Sequence, residues 1–220
     1  MIDTIIFDLD GTLLNTLEDL KDSTNFALRK FNYPERTLEE VRQFVGNGVQ
    51  KLIERAIPKG IENKDFAECL AVFKTHYAQN MYNKTAPYQG IEEMLAKLKQ
   101  SGIKTAVVSN KFDLAVKELC KKYFGNLIEI AIGESDNVRK KPAPDSVLRA
   151  IKELNSKKES CIYSGDSDVD VQTAKNTGIS CIGVTWGFRD RKLLEREGAK
   201  YIIDKPLELI DIINEINSCN

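Results

Sequence analysis

The stretch Thr4-Ile-Ile-Phe-Asp-Leu-Asp-Gly-Thr12 decides how the rest of the chain is read. Thr4-Ile-Ile-Phe7 is β-branched and aromatic, which predicts a short, fully buried strand. It runs directly into two carboxylates, Asp8 and Asp10, followed by Gly11 and Thr12. Two like charges a few ångströms apart repel by roughly 4 kcal/mol at an effective dielectric of about 20. They stay ionised together when a cation lies between them. Gly11 lets the backbone turn sharply around such a site. Two readings compete for this stretch: a phosphate-and-metal site, and a plain polar turn. An EF-hand loop is a third, and it fails. Counted from Asp8, the positions that need Asp or Asn, then Gly, then Glu hold Thr12, Leu13 and Asp19.

The surroundings narrow the function class. The 220 residues are 42% hydrophobic, enough for one large domain or one domain plus an insertion. With 32 basic and 33 acidic residues the net charge is −1, so bulk charge builds no surface for nucleic acid or membrane. A single Trp and 8% aromatic content offer no stacking platform for bases. No apolar run approaches the ~20 residues of a membrane span. The first residues do not read as a secretory leader, and a cytoplasmic location is expected. The cysteines are Cys69, Cys120, Cys161, Cys181 and Cys219, an odd set without a Cys-x-x-Cys pair, which argues against a disulfide framework or a zinc site. His76 is the only histidine and sits in a helical pattern, so a Ser-His-Asp or Cys-His mechanism is discounted.

Beyond Leu14 the hydrophobic period changes. Thr16 with Asp19 has the spacing of a capping box, and Leu17, Leu20, Thr24, Ala27, Leu28 and Phe31 follow at helical spacing up to Pro34. Further helices are expected over Leu38–Phe44, Val49–Ile57 and Asn63–Tyr82, with the turn Val45-Gly-Asn-Gly48 between the first two. Phe66, Leu70, Phe73, Tyr77 and Met81 share one face of the last. From Pro87 onward, helices and strands alternate, with strands expected at Ile103–Ser109, Leu127–Ile132, Ser160–Ser164, Ser180–Val184 and Ala199–Ile203. That alternation predicts βαβ units in a mostly parallel, Rossmann-like α/β sheet with helices on both faces. Strand Thr4–Asp8 belongs to the same sheet. Residues 1–14 and 86–220 are therefore expected to form the core, with 15–85 as an inserted helical cap.

Ligands of parallel sheets lie beyond the carboxyl ends of the strands. At those ends stand Asp8 and Asp10, then Ser109-Asn-Lys111, then Lys140-Lys-Pro-Ala-Pro-Asp145, then Gly165-Asp-Ser-Asp-Val-Asp170. Each has a structural alternative. Ser109 or Asn110 could cap the following helix with Asp113, which is also compatible with an anion site. Lys140 and Lys141 could be solvated charges, and Ser167 with Asp170 has capping-box spacing. Asp166-x-Asp168-x-Asp170 mimics a calcium loop, but Val171 and Thr177 fill its Gly and Glu positions. Asp166 has no such structural account; like Asp8, it stands at a strand end.

Taken together, Asp8-Leu-Asp-Gly-Thr12, Ser109-Asn110, Lys141-Pro142 and Gly165-Asp166-x-x-x-Asp170 resemble, in order and position, the four motifs of the haloacid dehalogenase-like phosphatases. The resemblance covers the whole chain, including the helical cap after the first motif. Phe44-Val-Gly-Asn-Gly48, Val184-Thr-Trp-Gly187 and Ile203-Asp-Lys-Pro206 look like segments of the bacterial phosphoglycolate phosphatases. The resemblance implies Asp8 as a nucleophile that forms an aspartyl-phosphate, and Asp10 as general acid and then base. It implies Mg2+ held by Asp8, the Asp10 carbonyl and Asp166, with Asp170 in support. Thr12, Ser109, Asn110 and Lys141 would hold the phosphoryl group, and Gly46, Asn47 and Gly48 would close over a small phosphorylated metabolite. The chemistry agrees: phosphoryl transfer needs in-line placement and charge neutralisation, and Mg2+ favours a few carboxylates plus water and phosphate. Lys51 and Arg55, just after the cap turn, could meet a substrate carboxylate or form a solvated helix face. A phosphosugar mutase or pyrophosphatase of the same superfamily is the alternative enzyme. A receiver-like phosphoacceptor is the non-enzymatic one, although receivers are shorter, about 120 residues, and lack such an insertion. No nucleic-acid or membrane partner is expected, and the chain is expected to be a monomer or weak homodimer.

Overall fold

The computed structural model describes residues 1–135 and 138–218; Cys219 lies outside them. The chain divides into two compact units, Met1–Leu14 with Pro87–Asn220, and Asn15–Ala86.

The first unit is built on a six-stranded sheet. Its strands are β1 (Thr4–Phe7), β4 (Lys104–Phe112), β5 (Ile130–Glu134), β6 (Cys161–Gly165), β7 (Ser180–Val184) and β8 (Tyr201–Ile203), in the spatial order β5-β4-β1-β6-β7-β8. Every pairing is parallel, and β1 sits centrally, with Phe7 opposite Val107 on one side and Ser164 on the other. A strand covered on both faces must be apolar throughout; Ile5, Ile6 and Phe7 are accordingly buried. Between the strands lie α5 (Ile91–Gln100), α6 (Asp113–Phe124), α7 (Asp145–Glu153), α8 (Asp168–Thr177) and α9 (Arg191–Glu197), and α10 (Glu208–Ser218) follows the last. Val147, Ala150 and Ile151 of α7, Val171 and Ala174 of α8 and Leu194 of α9 pack on the face carrying Ile6, Ala106, Val108 and Tyr163. Because successive strand side chains alternate, Ile5, Phe7 and Val107 point to the opposite face, where they too are buried.

The chain leaves this unit along β2 (Leu14–Asn15) and returns along β3 (Ala86–Pro87), which form a separate two-stranded sheet. The second unit is helical: α1 (Leu17–Lys30), α2 (Leu38–Phe44), α3 (Val49–Ala56) and α4 (Phe66–Asn80). Phe73, Tyr77 and Met81 are its buried stripe, with Phe73 and Tyr77 rings stacked at 5.6 Å. His76 is a structural residue: it stacks on Phe26 at 3.9 Å and its Nδ1 lies 3.0 Å from the Ser23 hydroxyl. Among the described residues no helix is long and apolar enough to cross a membrane.

Several local expectations are corrected. Thr16 makes no capping bond to α1. Asp19 instead accepts the Lys84 and Thr85 backbone N–H groups and the Thr85 hydroxyl at 2.8–3.0 Å, a closer set of donors than its own helix start offers. The residue before α6 is Phe112, not Ser109 or Asn110, and Asp113 accepts from Gly133 N at 3.0 Å across the sheet. Strand β5 starts at Ile130 rather than Leu127, because Gly125–Leu127 forms a 3-10 turn.

Candidate active site

Burial governs the electrostatics of this site. At the end of β1, Asp8 N donates to Ser164 O at 2.9 Å, which fixes the Asp8 backbone against the adjacent strand. At the end of β6, Gly165 has no room for a side chain, since a Cβ there would stand 2.4 Å from Asp170 Cβ. Carboxylate oxygens of Asp8, Asp166 and Asp170 lie within 4.8 Å of one another, and all three residues are buried. Burial, with the Asp170 and Asp10 charges and against the pull of Lys141, pushes the Asp8 carboxyl up to about 7. Burial, then the charges of Asp170 and Asp8, holds the Asp166 carboxyl well above the usual carboxylate range.

Lys141 sits at the centre of this cluster. Its ammonium donates to Asp8 Oδ1 at 2.8 Å, Asp170 Oδ1 at 2.8 Å and the Tyr163 hydroxyl at 2.9 Å. An ammonium has three N–H donors, so this geometry occupies all of them. Burial alone would lower the Lys141 pKa; the charges of Asp170 and Asp8 outweigh it and raise it. Asp170 is equally saturated: Oδ1 accepts from Lys141 and Tyr163, and Oδ2 from the Ser167 amide and hydroxyl. The Ser167–Asp170 capping box therefore forms, and the same carboxylate also anchors the lysine.

Asn110 makes a reciprocal pair with the Lys141 backbone, donating to its carbonyl at 3.0 Å and accepting from its N–H at 2.8 Å. Its side chain thus fixes the loop that carries Lys141. Ser109 is buried beside it, its Oγ accepting from Lys111 N at 3.3 Å. The Thr12 hydroxyl donates to Asp166 Oδ1 at 3.3 Å. Lys140 is ion-paired with Glu134 at 2.7 Å, away from the cluster.

Sequence reading missed three contributors. Lys111 is buried and its ammonium donates to both oxygens of Asp10, at 2.9 and 3.1 Å. Tyr163 lies inside an apolar strand yet holds Lys141 and Asp170. The segment Trp186-Gly-Phe188 wraps the first motif: Trp186 Nε1 donates to Thr12 O at 3.0 Å, and Phe188 N to Asp166 Oδ2 at 2.6 Å. A Cβ on Gly187 would stand 2.3 Å from Asp166 Cβ and 2.4 Å from Gly11 O, so only glycine fits there. Tyr163 has no local signal in the sequence; Lys111 stands in the strand-end triplet Ser109-Asn-Lys111, where nothing local points to Asp10, and Gly187 lies in the late segment Val184-Thr-Trp-Gly187.

In the helical unit, Gly46, Asn47 and Gly48 form the turn between α2 and α3, with positive φ at both glycines. Arg55 braces that turn, donating to Phe44 O at 2.7 Å and Asn47 Oδ1 at 2.9 Å, while Lys51 pairs with Glu54 on an exposed face.

Burial pushes the thiols of Cys69 and Cys161 up to about 11 and that of Cys120 up to about 12, which keeps them in the protonated, poorly nucleophilic form.

The haloacid dehalogenase-like hydrolase family pattern matches residues 5–184. The phosphoglycolate phosphatase of Pseudomonas putida is 32% identical over 206 residues, covering 91% of this chain and 75% of that protein. The phosphoglycolate phosphatase of Colwellia psychrerythraea is 31% identical over 215 residues, covering 94% of this chain and 95% of its own. A crystal structure of a proposed phosphoglycolate phosphatase from Lactobacillus delbrueckii subsp. bulgaricus superimposes with a TM-score of 0.91 at 34% identity, over 96% of this chain and 98% of the other. The chain belongs to the haloacid dehalogenase-like hydrolases, and within them it is a phosphatase.

Proposed function

We propose that this phosphatase transfers the phosphoryl group of a small metabolite to Asp8 and then to water, with 2-phosphoglycolate as the first substrate. The observation that carries the reading is the convergence of Asp8, Lys141, Asp166 and Asp170, from three separate stretches of chain, on one buried point. The relatives named above support the substrate.

In the first step an Asp8 oxygen attacks phosphorus, the bond to the substrate oxygen breaks, and the Asp10 carboxyl gives its proton to the departing alkoxide. In the second, the Asp10 carboxylate takes a proton from water, whose oxygen displaces Asp8 and releases phosphate. Lys141 exchanges its Asp8 contact for a phosphoryl oxygen as the acyl phosphate forms. Thr12 and Ser109 are proposed to help hold the phosphoryl group, and Asn110 to contribute by bracing the loop that carries Lys141. The donor set is all oxygen and buried, which suits a hard divalent cation. Asp8, Asp166 and the Asp10 carbonyl would hold Mg2+, which supplies neutralisation of the phosphoryl charge. Asp170, with its oxygens already engaged, supports the site through Lys141. The Gly46-Asn47-Gly48 turn is proposed to help select the substrate. A cytoplasmic location and a monomer or weak homodimer complete the proposal.

The test is phosphate release from a panel containing 2-phosphoglycolate, sugar phosphates, nucleotides and pyrophosphate, with and without Mg2+. The reading expects the highest kcat/KM for phosphoglycolate, dependence on Mg2+, and no turnover by a folded Asp8→Asn variant. Isomerised sugar phosphate in place of free phosphate would indicate a mutase.

A further inference from the structure

Lys111 stands near the end of β4, with 4% of its surface exposed, and its ammonium grips both Asp10 oxygens. A buried lysine is costly unless paired. Register does not require this pair, since β1 and β4 are already joined by a parallel ladder from Thr4–Lys104 to Phe7–Val107. Stability alone does not account for choosing an ion pair at this place, because in general a buried ion pair is often matched by well-packed apolar residues. The cluster's other lysine, Lys141, directs its three donors to Asp8, Asp170 and Tyr163. The two ammonium groups thus serve different carboxylates, one for the attacking group and one for Asp10.

We propose that Lys111 is the positioning residue for Asp10. It holds the Asp10 carboxylate by both oxygens, as a two-point charge-assisted contact fixes orientation as well as distance; this is the form left after Asp10 has given its proton to the leaving oxygen, and in the protonated form one of the two contacts gives way to the O–H. The second half-reaction returns a proton from water to that carboxylate, so the cycle closes with no other reactant. The inference rests on the reading of Asp10 as general acid.

Proton donation matters most when the leaving oxygen is basic. The experiment compares kcat/KM for phenyl phosphate and p-nitrophenyl phosphate, which share a shape and differ in leaving-group acidity. Both rates are measured on the same preparation of wild type, Lys111→Met, Lys111→Arg and Asp10→Asn, so their ratio is independent of the folded fraction. General acid catalysis contributes about 10²–10⁴-fold, and Lys111→Met is expected to lower the phenyl rate about tenfold more than the nitrophenyl rate. Lys111→Arg is expected to recover most of that ratio, and Asp10→Asn to show the largest split. Equal losses for both substrates in Lys111→Met, with Asp10→Asn still splitting them, would overturn the positioning role and leave the phosphatase mechanism intact. No split in Asp10→Asn would remove the acid role, and the assignment of Lys111 with it.

Discussion

Replacing Lys141 by Met removes the one ammonium that joins Asp8, Asp170 and Tyr163. Methionine keeps roughly the length of the side chain and leaves two buried carboxylates without their cation. Removing one partner of a buried pair costs about 3–5 kcal/mol. For a chain of 220 residues, each kcal/mol lowers Tm by about 2–4 °C. A loss of about 4 kcal/mol therefore corresponds to a Tm lowered by ~8–16 °C in the metal-free protein. The loss must depend on pH. Asp8 is already pushed up to about 7 with the ammonium present, and without it that carboxyl rises further. A folded state in which this carboxyl titrates above the unfolded value of about 4 binds more protons than the unfolded chain, so its stability falls as pH rises through that window. The deficit of Lys141→Met should be large near about pH 8 and smaller near about pH 5. Thermal melts followed by circular dichroism, in chelator, measure both. A Tm within about 2 °C of wild type at the higher pH, or an equal deficit at both, would refute the reasoning.

The wild-type chain without metal should also lose stability as pH rises from about 5 to about 8, because Asp8 and Asp166 are both raised by burial. Mg2+ should raise Tm more at the upper pH, where it displaces fewer protons; melts with and without the ion check this. Gly187→Ala forces a methyl group against Asp166 and Gly11. Its expected cost is about 1–3 kcal/mol, together with a higher Mg2+ requirement for activity, read from metal titrations of kcat. Asp19→Ala leaves the Lys84 and Thr85 donors without their acceptor and should cost about 1–3 kcal/mol, measured by urea unfolding.

Much of this arrangement could be read from the residues in order. Strands of a doubly covered parallel sheet must be buried on both faces, so Thr4–Phe7 and Cys161–Gly165 stand out. The acids at their ends have no packing reason to be there, which is why Asp8 and Asp166 were visible as a pair. What escaped was decided by partners distant in the chain. Thr16–Asp19 and Ser167–Asp170 share one spacing, yet only the second closes as a cap. Asp19 is taken by Lys84 and Thr85, 65 and 66 residues later. Asn110 has the look of a helix cap but braces Lys141, 31 residues away. Lys111 stands in the strand-end triplet Ser109-Asn-Lys111, but its partner Asp10 lies 101 residues earlier and only the fold brings the two together. The start of β5 was misplaced because Leu127 and Ile128 are as apolar as the strand itself, and the turn through Gly125–Leu127 precedes it.

The central claim is that Asp8 carries the phosphoryl group in the course of each turnover. The direct measurement is to quench the turning-over protein in acid, reduce any acyl phosphate with borohydride, and locate the modified residue by peptide mass spectrometry. The account predicts reduction at Asp8 in the wild type and none in Asp8→Asn. Turnover with no trapped adduct, or an adduct on any other side chain, would contradict it.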